Sequence, residues 1–206
     1  MASPLSGKWS KVAVFLLCLA PFFSLVWRGF QQELGTNPIE HVTHATGDWT
    51  LRFLLITLAV TPLRELARQP QLIRFRRTLG LFAFFYGSLH LVTYLWLDQF
   101  FDFSAIAADI VKRPFITAGF AGFVLMLPLA ATSTAGWIRR LGGKRWRMLH
   151  RLIYASAAAG VIHYYWLVKS DVRLPLVYAA LLAVLLVYRL AAWLPSSAPR
   201  VSLSRK

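Results

Sequence analysis

The chain has few of the residues that most metal and disulfide sites require. Its 206 residues include one cysteine, Cys18, and only eight acidic residues. A single cysteine excludes an internal disulfide, a cysteine-rich zinc site and a cysteine-ligated iron–sulfur cluster. Redox chemistry in this chain would therefore need a bound cofactor of another kind.

The sequence also lacks a glycine pattern typical of nucleotide binding, so direct oxidation of NAD(P)H by this chain is not expected. What it has in abundance is apolar surface: 57% of the residues are hydrophobic and eight are tryptophan. This composition is typical of an integral membrane protein. Most of a chain of this length would lie in spanning helices, which leaves no room for a separate Rossmann or P-loop domain. Any chemistry is expected within the helical bundle.

Six windows are long and apolar enough to cross a hydrocarbon core about 30 Å thick. They predict an all-α integral membrane protein, a single transmembrane domain over residues 1–206 that forms a six-helix bundle, with helices at about 11–27, 50–66, 78–97, 114–132, 148–168 and 175–194. Two longer connections, 28–49 and 98–113, fall on the same side and are the expected docking surface for a partner. The second is predicted to hold a short interfacial helix around 103–111.

The net charge of +15 is distributed unevenly along the chain. If both termini lie on one side, that side receives most of the lysines and arginines, and the other side receives every acid except Glu65. The positive-inside rule then predicts that both termini are cytoplasmic. The excess charge reflects topology and contact with anionic lipid. Nucleic-acid binding is not expected.

Three of the five histidines, His90, His150 and His163, lie in long apolar stretches. Ionisable groups at membrane depth are usually functional, and neutral imidazole is a common ligand of haem iron. At a rise of 1.5 Å per residue, His90 and His163 each lie about 20 Å from the cytoplasmic ends of their helices. They are therefore predicted to face each other across one porphyrin, as the axial ligands of a haem b in the outer half of the membrane.

Small residues accompany both histidines. Gly87 lies one turn before His90, and the helix before His163 contains Ala155, Ala157, Ala158, Ala159 and Gly160. Small residues would admit a flat macrocycle, but they are equally typical of close packing between helices. The sequence leaves both interpretations open.

His150 is predicted near the cytoplasmic face, about 220° around an ideal helix from His163. It could ligate a second, inner haem, although the third helix offers Arg76 and Arg77 opposite it rather than a histidine. The alternative is an interfacial histidine near a cofactor or a lipid phosphate. His41 and His44, before the second helix, are typical of loop histidines, although His44 could reach an outer haem or a partner.

Seven short strings carry a family resemblance: HATG from His44, LAVTP from Leu58, RRTLGL from Arg76, YGSLH from Tyr86, KRPFIT from Lys112, LAATS from Leu129 and KRWRMLH from Lys144. With them, the chain from about Asn37 to Arg189 resembles the MsrQ (formerly YedZ) family of the ferric reductase-like transmembrane superfamily.

This resemblance implies a six-helix protein of the bacterial inner membrane that binds one or two haems b and also FMN. It further implies electron transfer from membrane quinones to a periplasmic, molybdopterin-containing methionine sulfoxide reductase that repairs oxidised proteins. The haem-binding histidines of the family fall on His90, His150 and His163. Larger members of the superfamily carry a second histidine on the third helix, where this chain has arginine.

Arg74, Arg76 and Arg77 stand just before the third helix. Their guanidinium groups suit the phosphate of FMN or a quinone headgroup, through paired hydrogen bonds. Positive-inside topology and contact with anionic lipid explain the same residues without a ligand. Both interpretations remain open.

Three functions of different classes fit the sequence. The first is the electron-transfer subunit described above. The second is a stand-alone ferric or superoxide-type reductase, which would normally need a flavin and nicotinamide domain. The third is a non-redox transporter or assembly factor whose intramembrane histidines relay protons or metal ions. A reduced-minus-oxidised spectrum separates the third from the other two.

Overall fold

The computed structural model describes residues 7–193, except for the side chain of Trp193, and the regular structure in that part is entirely helical. Its eight α-helices are α1 (Lys8–Phe30), α2 (Pro38–Leu66), α3 (Arg76–Val92), α4 (Phe103–Lys112), α5 (Pro114–Ala131), α6 (Ala135–Leu149), α7 (Leu152–Leu167) and α8 (Arg173–Trp193). A 3₁₀ turn, Pro70–Phe75, precedes α3, and a π-helical segment, Thr93–Asp98, continues it.

Two tightly packed helix pairs form the centre of the bundle. Helix α2 packs along α3, and α5 packs along α7. Helix α1 lies against α2 and α3, α8 lies against α7 and α2, and the short α4 lies against α5. The most deeply buried side chains belong to the central helices and include Leu58, Ala83, Tyr86 and Ala157.

Small residues allow the close approach of α5 and α7. A Cβ atom on Gly122 would lie 3.3 Å from the Cβ of Ala159 and 3.4 Å from the carbonyl oxygen of Ser156. The buried hydroxyl of Ser156 donates to the carbonyl of Gly122 at 2.9 Å. The small-residue stretch of α7 therefore serves helix packing, and two of its residues, Ser156 and Gly160, also line the cavity described below.

A proline in α2 determines where α8 docks. Because Pro62 has no N–H, the carbonyl of Leu58 loses its usual helical donor. The Nη2 of Arg189 replaces that donor, at 3.0 Å from the Leu58 oxygen, and also donates to Thr61 Oγ1 at 3.1 Å. A buried carbonyl without a partner is costly, so this contact fixes α8 against α2.

The hydroxyl of Tyr86 links α1 to α3 in a similar way. It accepts from the N–H of Phe22 at 3.0 Å and donates to the carbonyl of Cys18 at 2.9 Å. The hydroxyl thus stands between a donor and an acceptor four residues apart in α1, beside Pro21. The ring of Tyr86 stacks on Phe53 of α2, with centroids 5.3 Å apart.

Four helical stretches of the described residues are long and apolar enough to cross a membrane: Lys8–Phe30, Pro70–Asp98, Pro114–Ala131 and Arg173–Ala192. They correspond to four of the six predicted spans; residue 194, the last of the sixth, lies outside the described residues. The other two predicted spans fall in α2, which is 29 residues long but carries Asp48, Arg52 and Arg64, and in α7, which has 16 residues. Six spans therefore remain a prediction.

The connection predicted at 28–49 is largely helical. Helix α2 begins at Pro38, where Asn37 caps it by accepting from the N–H of Glu40 at 3.2 Å. His41 and His44 consequently lie on a helix and not in a loop. The hydropathy pattern missed this part of α2 because its residues are polar.

The helix predicted at 103–111 is confirmed as α4, and its position at the membrane surface stays a prediction. Asp102 caps it, since its Oδ1 accepts from the N–H groups of Ala105 and Ser104, both at 3.0 Å. These hydrogen bonds hold the pKa of Asp102 below its ordinary value. The cap fixes the start of α4, which packs against α5.

The helix predicted at 148–168 is shorter than expected, and a helix that the sequence did not indicate precedes it. Helix α7 starts at Leu152, whereas His150 is the C-cap residue of α6. Gly142, with φ of 73°, breaks α6 in the middle, a conformation that glycine adopts without strain. His150 and His163 therefore do not share one continuous helix, and the angle expected between them on an ideal helix does not apply.

We expect Tyr86→Phe to lower the free energy of unfolding by about 1–3 kcal/mol, because the Cys18 carbonyl and the Phe22 N–H both lose a buried partner. Thermal unfolding in detergent micelles would measure this as a lower Tm. Tyr165→Phe, which removes an exposed hydroxyl from α7, is the matched control. Equal Tm values for the two variants would show that the Tyr86 bridge contributes nothing.

Candidate metal centre

The fold brings two of the three predicted histidines together. His90 projects from α3 and His163 from α7, and their ring centroids lie 5.9 Å apart with an interplanar angle of 76°. Both rings line one cavity. The two helices come from different central pairs, so the histidines meet where those pairs join.

Each of these histidines is oriented by a backbone carbonyl. His90 Nδ1 lies 2.9 Å from the carbonyl oxygen of Thr43, and His163 Nδ1 lies 2.6 Å from that of Phe115. A carbonyl can only accept, so each Nδ1 carries the proton and donates it. This tautomer leaves Nε2 of both rings with a free lone pair, the state in which histidine ligates a metal.

A glycine one helical turn after each carbonyl makes room for the ring. Gly47 follows Thr43 by four residues, and a Cβ there would lie 3.1 Å from His90 Cε1. Gly119 follows Phe115 by four residues, and a Cβ there would lie 2.7 Å from His163 Nδ1. Sequence reasoning did not identify Gly119, although its spacing from Phe115 matches that of Gly47 from Thr43.

The cavity has a volume of about 700 Å³, within the range of about 300–1,000 Å³ typical of cofactor sites. Its deep end is apolar and includes Leu54, Phe123 and Met126, whereas its mouth is polar and includes Asn37, Glu40, His44, Asp98 and Arg113. The mouth lies between the start of α2 and helix α4.

The helix that carries His90 widens just after it. Residues Thr93–Asp98 form a π-helix, and such segments are frequent at functional sites. Tyr94, one turn beyond His90, lines the cavity and donates from its hydroxyl to Asp109 Oδ2 on α4 at 3.2 Å. The wider turn thereby connects the His90 helix to the mouth of the cavity.

These residues fit a haem. Two metal–imidazole bonds of about 2 Å each, added to the distances from nitrogen to ring centre, place two axial imidazoles about 6 Å apart, close to the observed separation. Within residues 7–193, no three or more His, Cys, Asp or Glu side chains are grouped so that they could hold a metal ion by themselves. Two axial histidines suffice for haem iron, because the porphyrin supplies its other four ligands.

His150 lies away from the cavity. Its Nε2 is 3.0 Å from Thr132 Oγ1, and its ring stacks on Trp146 with centroids 3.9 Å apart. Because the Thr132 hydroxyl donates to the carbonyl of Pro128 at 2.6 Å, it accepts from His150 Nε2. The Nε2 of His150 is therefore engaged with protein, unlike that of His90 or His163.

The three arginines singled out from the sequence do not converge. Arg74 donates to the carbonyl of Gly7 at 3.1 Å and lies over the ring of Phe75, and Arg77 is exposed. Arg76 is half-buried and lies within electrostatic range of His150, Tyr154 and other arginines, Arg64 and Arg189. Of the three, Arg76 is the residue nearest to a second candidate site around His150.

Comparison with known proteins places these features in a family. The profile of the ferric reductase like transmembrane component matches residues 46–161, which include His90, His150 and the small-residue stretch of α7. The chain is 54% identical to a protein of Herminiimonas arsenicoxydans over 87% of its own length and 83% of the relative's. It is 57% identical to one of Azospira oryzae, over 87% and 77%.

A protein of Caulobacter vibrioides is 51% identical, over 85% of this chain and 84% of its own. All three relatives are named protein-methionine-sulfoxide reductase heme-binding subunit MsrQ.

We expect Gly119→Ala to displace the ring of His163, because the new Cβ would lie 2.7 Å from Nδ1. Alanine favours a helix by roughly 1 kcal/mol over glycine, so any loss must come from this contact. Haem content and the absorption spectrum of the purified variant are the measurements. Gly80→Ala is the control, since a Cβ there makes an ordinary contact at 3.6 Å with Thr57. A full haem complement with an unchanged spectrum in Gly119→Ala would contradict the steric argument.

Proposed function

Since the chain belongs to the MsrQ family of ferric reductase-like transmembrane proteins, we propose that it is the haem b subunit of a protein-methionine-sulfoxide reductase system. In this proposal it carries electrons from membrane quinones to a catalytic partner. One observation supports it above the others: His90 and His163 line one cavity. The Nδ1–H of each ring donates to a helix carbonyl, which leaves the lone pair of each Nε2 available to a metal.

His90 and His163 are the proposed axial ligands of the principal haem. When bound, the haem supplies a one-electron carrier at this depth. The carbonyls of Thr43 and Phe115 keep both rings in the ligating tautomer. The apolar deep end of the cavity excludes water, which limits access of other reactants to the iron.

The proposed topology has six spanning helices in the bacterial inner membrane and both termini in the cytoplasm. The distribution of basic residues supports it, because Arg139, Arg140, Lys144, Arg145 and Arg147 cluster on α6, whereas seven of the eight acids lie toward the other side. In this orientation, the mouth of the cavity faces the periplasm.

We propose that electrons leave through this mouth. A periplasmic, molybdopterin-containing methionine sulfoxide reductase would dock there, over the start of α2 and over α4. The polar rim of the cavity supports a docking position at which the haem edge comes closest to the surface.

Electron uptake is proposed at the opposite end, around His150 and the arginines before α3. Arg76 would bind the phosphate of FMN or a quinone headgroup. Arg74 and Arg77 lie farther away and would have a smaller part in this binding. His150 would either ligate a second haem or border that ligand. Its stacking on Trp146 and its proximity to Arg76 support a role in one shared site. The number of haems, one or two, depends on which role His150 has.

We expect His90→Ala and His163→Ala each to abolish the principal haem, because water does not easily replace an axial nitrogen in an apolar cavity. His150→Ala should cause a partial or selective loss. Dithionite-reduced minus oxidised spectra of purified proteins measure the b-type bands, and His41→Ala, on α2 outside the cavity lining, is the control. A full low-spin haem complement in both His90→Ala and His163→Ala would exclude these two residues as the pair of axial ligands. A spectrum without haem bands from folded wild-type protein supplied with haem would favour a non-redox function.

Replacing Arg76 and Arg77 together with glutamine should lower FMN occupancy or the rate of quinol-driven haem reduction and leave haem content unchanged. Arg76→Gln alone should reproduce most of the effect, because Arg76 is half-buried beside His150 and Arg77 is exposed. Arg77→Gln alone is therefore the matched control. If flavin content and reduction rates stay at wild-type values in the inserted double variant, these arginines act only in topology.

A further inference from the structure

One permanent cation lines the cavity between His90 and His163. Among the described residues that line it, Arg113 is the only lysine or arginine. It lies at the mouth, between the last residue of α4 and the first of α5. The opposite, deep end has no charged side chain and is formed by residues such as Leu54, Phe123 and Met126.

One carboxylate holds Arg113 in place. Its Nε donates to Asp109 Oδ1 at 3.1 Å, and its backbone N–H donates to the Asp109 carbonyl at 2.9 Å. Asp109 is itself fixed, because its Oδ2 accepts from Tyr94 at 3.2 Å and from Gln99 at 3.4 Å. The position of the guanidinium is thus set by contacts from α4 and from the π-helical segment after His90.

The Arg113 side chain is 56% exposed, and no residue within 7–193 pairs with its two Nη groups. The other acids that line the cavity bond to other side chains. Asp48 bonds to Arg52 at 3.3 Å, and Asp98 accepts from Gln99 at 3.0 Å. Glu40 accepts from Asn37 at 3.0 Å. Two forked donors therefore remain available for an anion at the mouth.

Haem b carries two anionic propionates on one edge of the macrocycle. At the deep end they would be buried among apolar side chains without a partner, at a large cost in free energy. At the mouth, a guanidinium can bind a carboxylate with two parallel hydrogen bonds. We propose that Arg113, positioned by Asp109, binds a propionate of the haem, so that the propionate edge faces the outer side. This inference rests on the proposed haem site.

Such an orientation has a consequence for electron transfer. The edge of the macrocycle nearest to a docked partner would be the propionate edge, and Arg113 would neutralise part of its charge. Asp109 would act through Arg113, as a positioning residue without contact to the haem.

The first experiment measures haem release to excess apomyoglobin from the purified holoprotein. Arg113→Gln should release haem about tenfold faster than the wild type, the effect of losing one charge-assisted contact. Lys112→Gln, which removes the neighbouring exposed cation, is the matched control and should release haem at the wild-type rate.

Esterification of the propionates tests the same contact from the side of the ligand. Wild-type protein reconstituted with haem dimethyl ester should release it about as fast as Arg113→Gln releases haem. Arg113→Gln should then show no further acceleration with the ester. If the difference between wild type and variant persists with the ester, the variant acts through the fold and the proposal is overturned.

Midpoint potentials supply a second readout that a structural defect would not reproduce. Loss of the Arg113 cation should lower the haem potential, because the reduced state loses stabilisation, whereas Arg113→Lys, which keeps the charge, should stay close to the wild-type potential. An equal shift in both variants, or no shift in Arg113→Gln, would overturn the proposal. The ligation itself is judged separately by the low-spin spectrum of the wild type, whose absence would instead overturn the proposed function.

Discussion

The bundle depends on two hydrogen bonds, each from a histidine N–H to a backbone carbonyl of a neighbouring helix. In both instances the carbonyl is followed four residues later by glycine, so the ring can lie against the helix where a Cβ would otherwise stand. His90 thereby fastens α3 to α2, and His163 fastens α7 to α5. These are the same two pairs that form the centre of the bundle. The contacts that fix the tautomer of the two imidazoles are therefore also contacts that hold the fold together.

The outer helices are attached by a related device. In α2, Arg189 donates to the carbonyl that Pro62 leaves without its helical donor. In α1, the hydroxyl of Tyr86 stands between the Cys18 carbonyl and the Phe22 N–H, next to Pro21. In an apolar environment no water is available to bond to a backbone N–H or C=O group. These contacts therefore fix where the helices lie and also stabilise the fold. Both fix a helix of the periphery to one of the centre. The cavity is thus enclosed by helices whose positions are set by hydrogen bonds as well as by apolar packing.

The sequence predicts those parts of the structure that depend on how far a residue lies from the end of its helix. The juxtaposition of His90 and His163 follows from their similar distances to the basic ends of their helices, and α4 follows from its apolar spacing. The positions of His150 and Arg76 depend on where helices end and which way they turn. Gly142 breaks α6, and the contacts of His150 with Thr132 and Trp146 exist only after α5, α6 and α7 have packed. The hydropathy pattern did not predict the polar start of α2, because it detects only apolar windows. The capping residue Asn37 and the proline at the first helical position, Pro38, would have predicted it. The glycine at position 119 could have been found from the repeated four-residue spacing.

The rigid attachment of both imidazoles bears on the rate of electron transfer. Each ring is held at one nitrogen by a carbonyl within a regular helix, and it is backed on its face by that helix at Gly47 or Gly119. The distance between the two Nε2 atoms is therefore governed by four packed backbones and not by side-chain rotation. A metal placed between them could gain or lose an electron with little movement of its ligands. A small nuclear rearrangement of this kind keeps the reorganisation energy low, which leaves the rate of electron transfer to be set by distance and driving force.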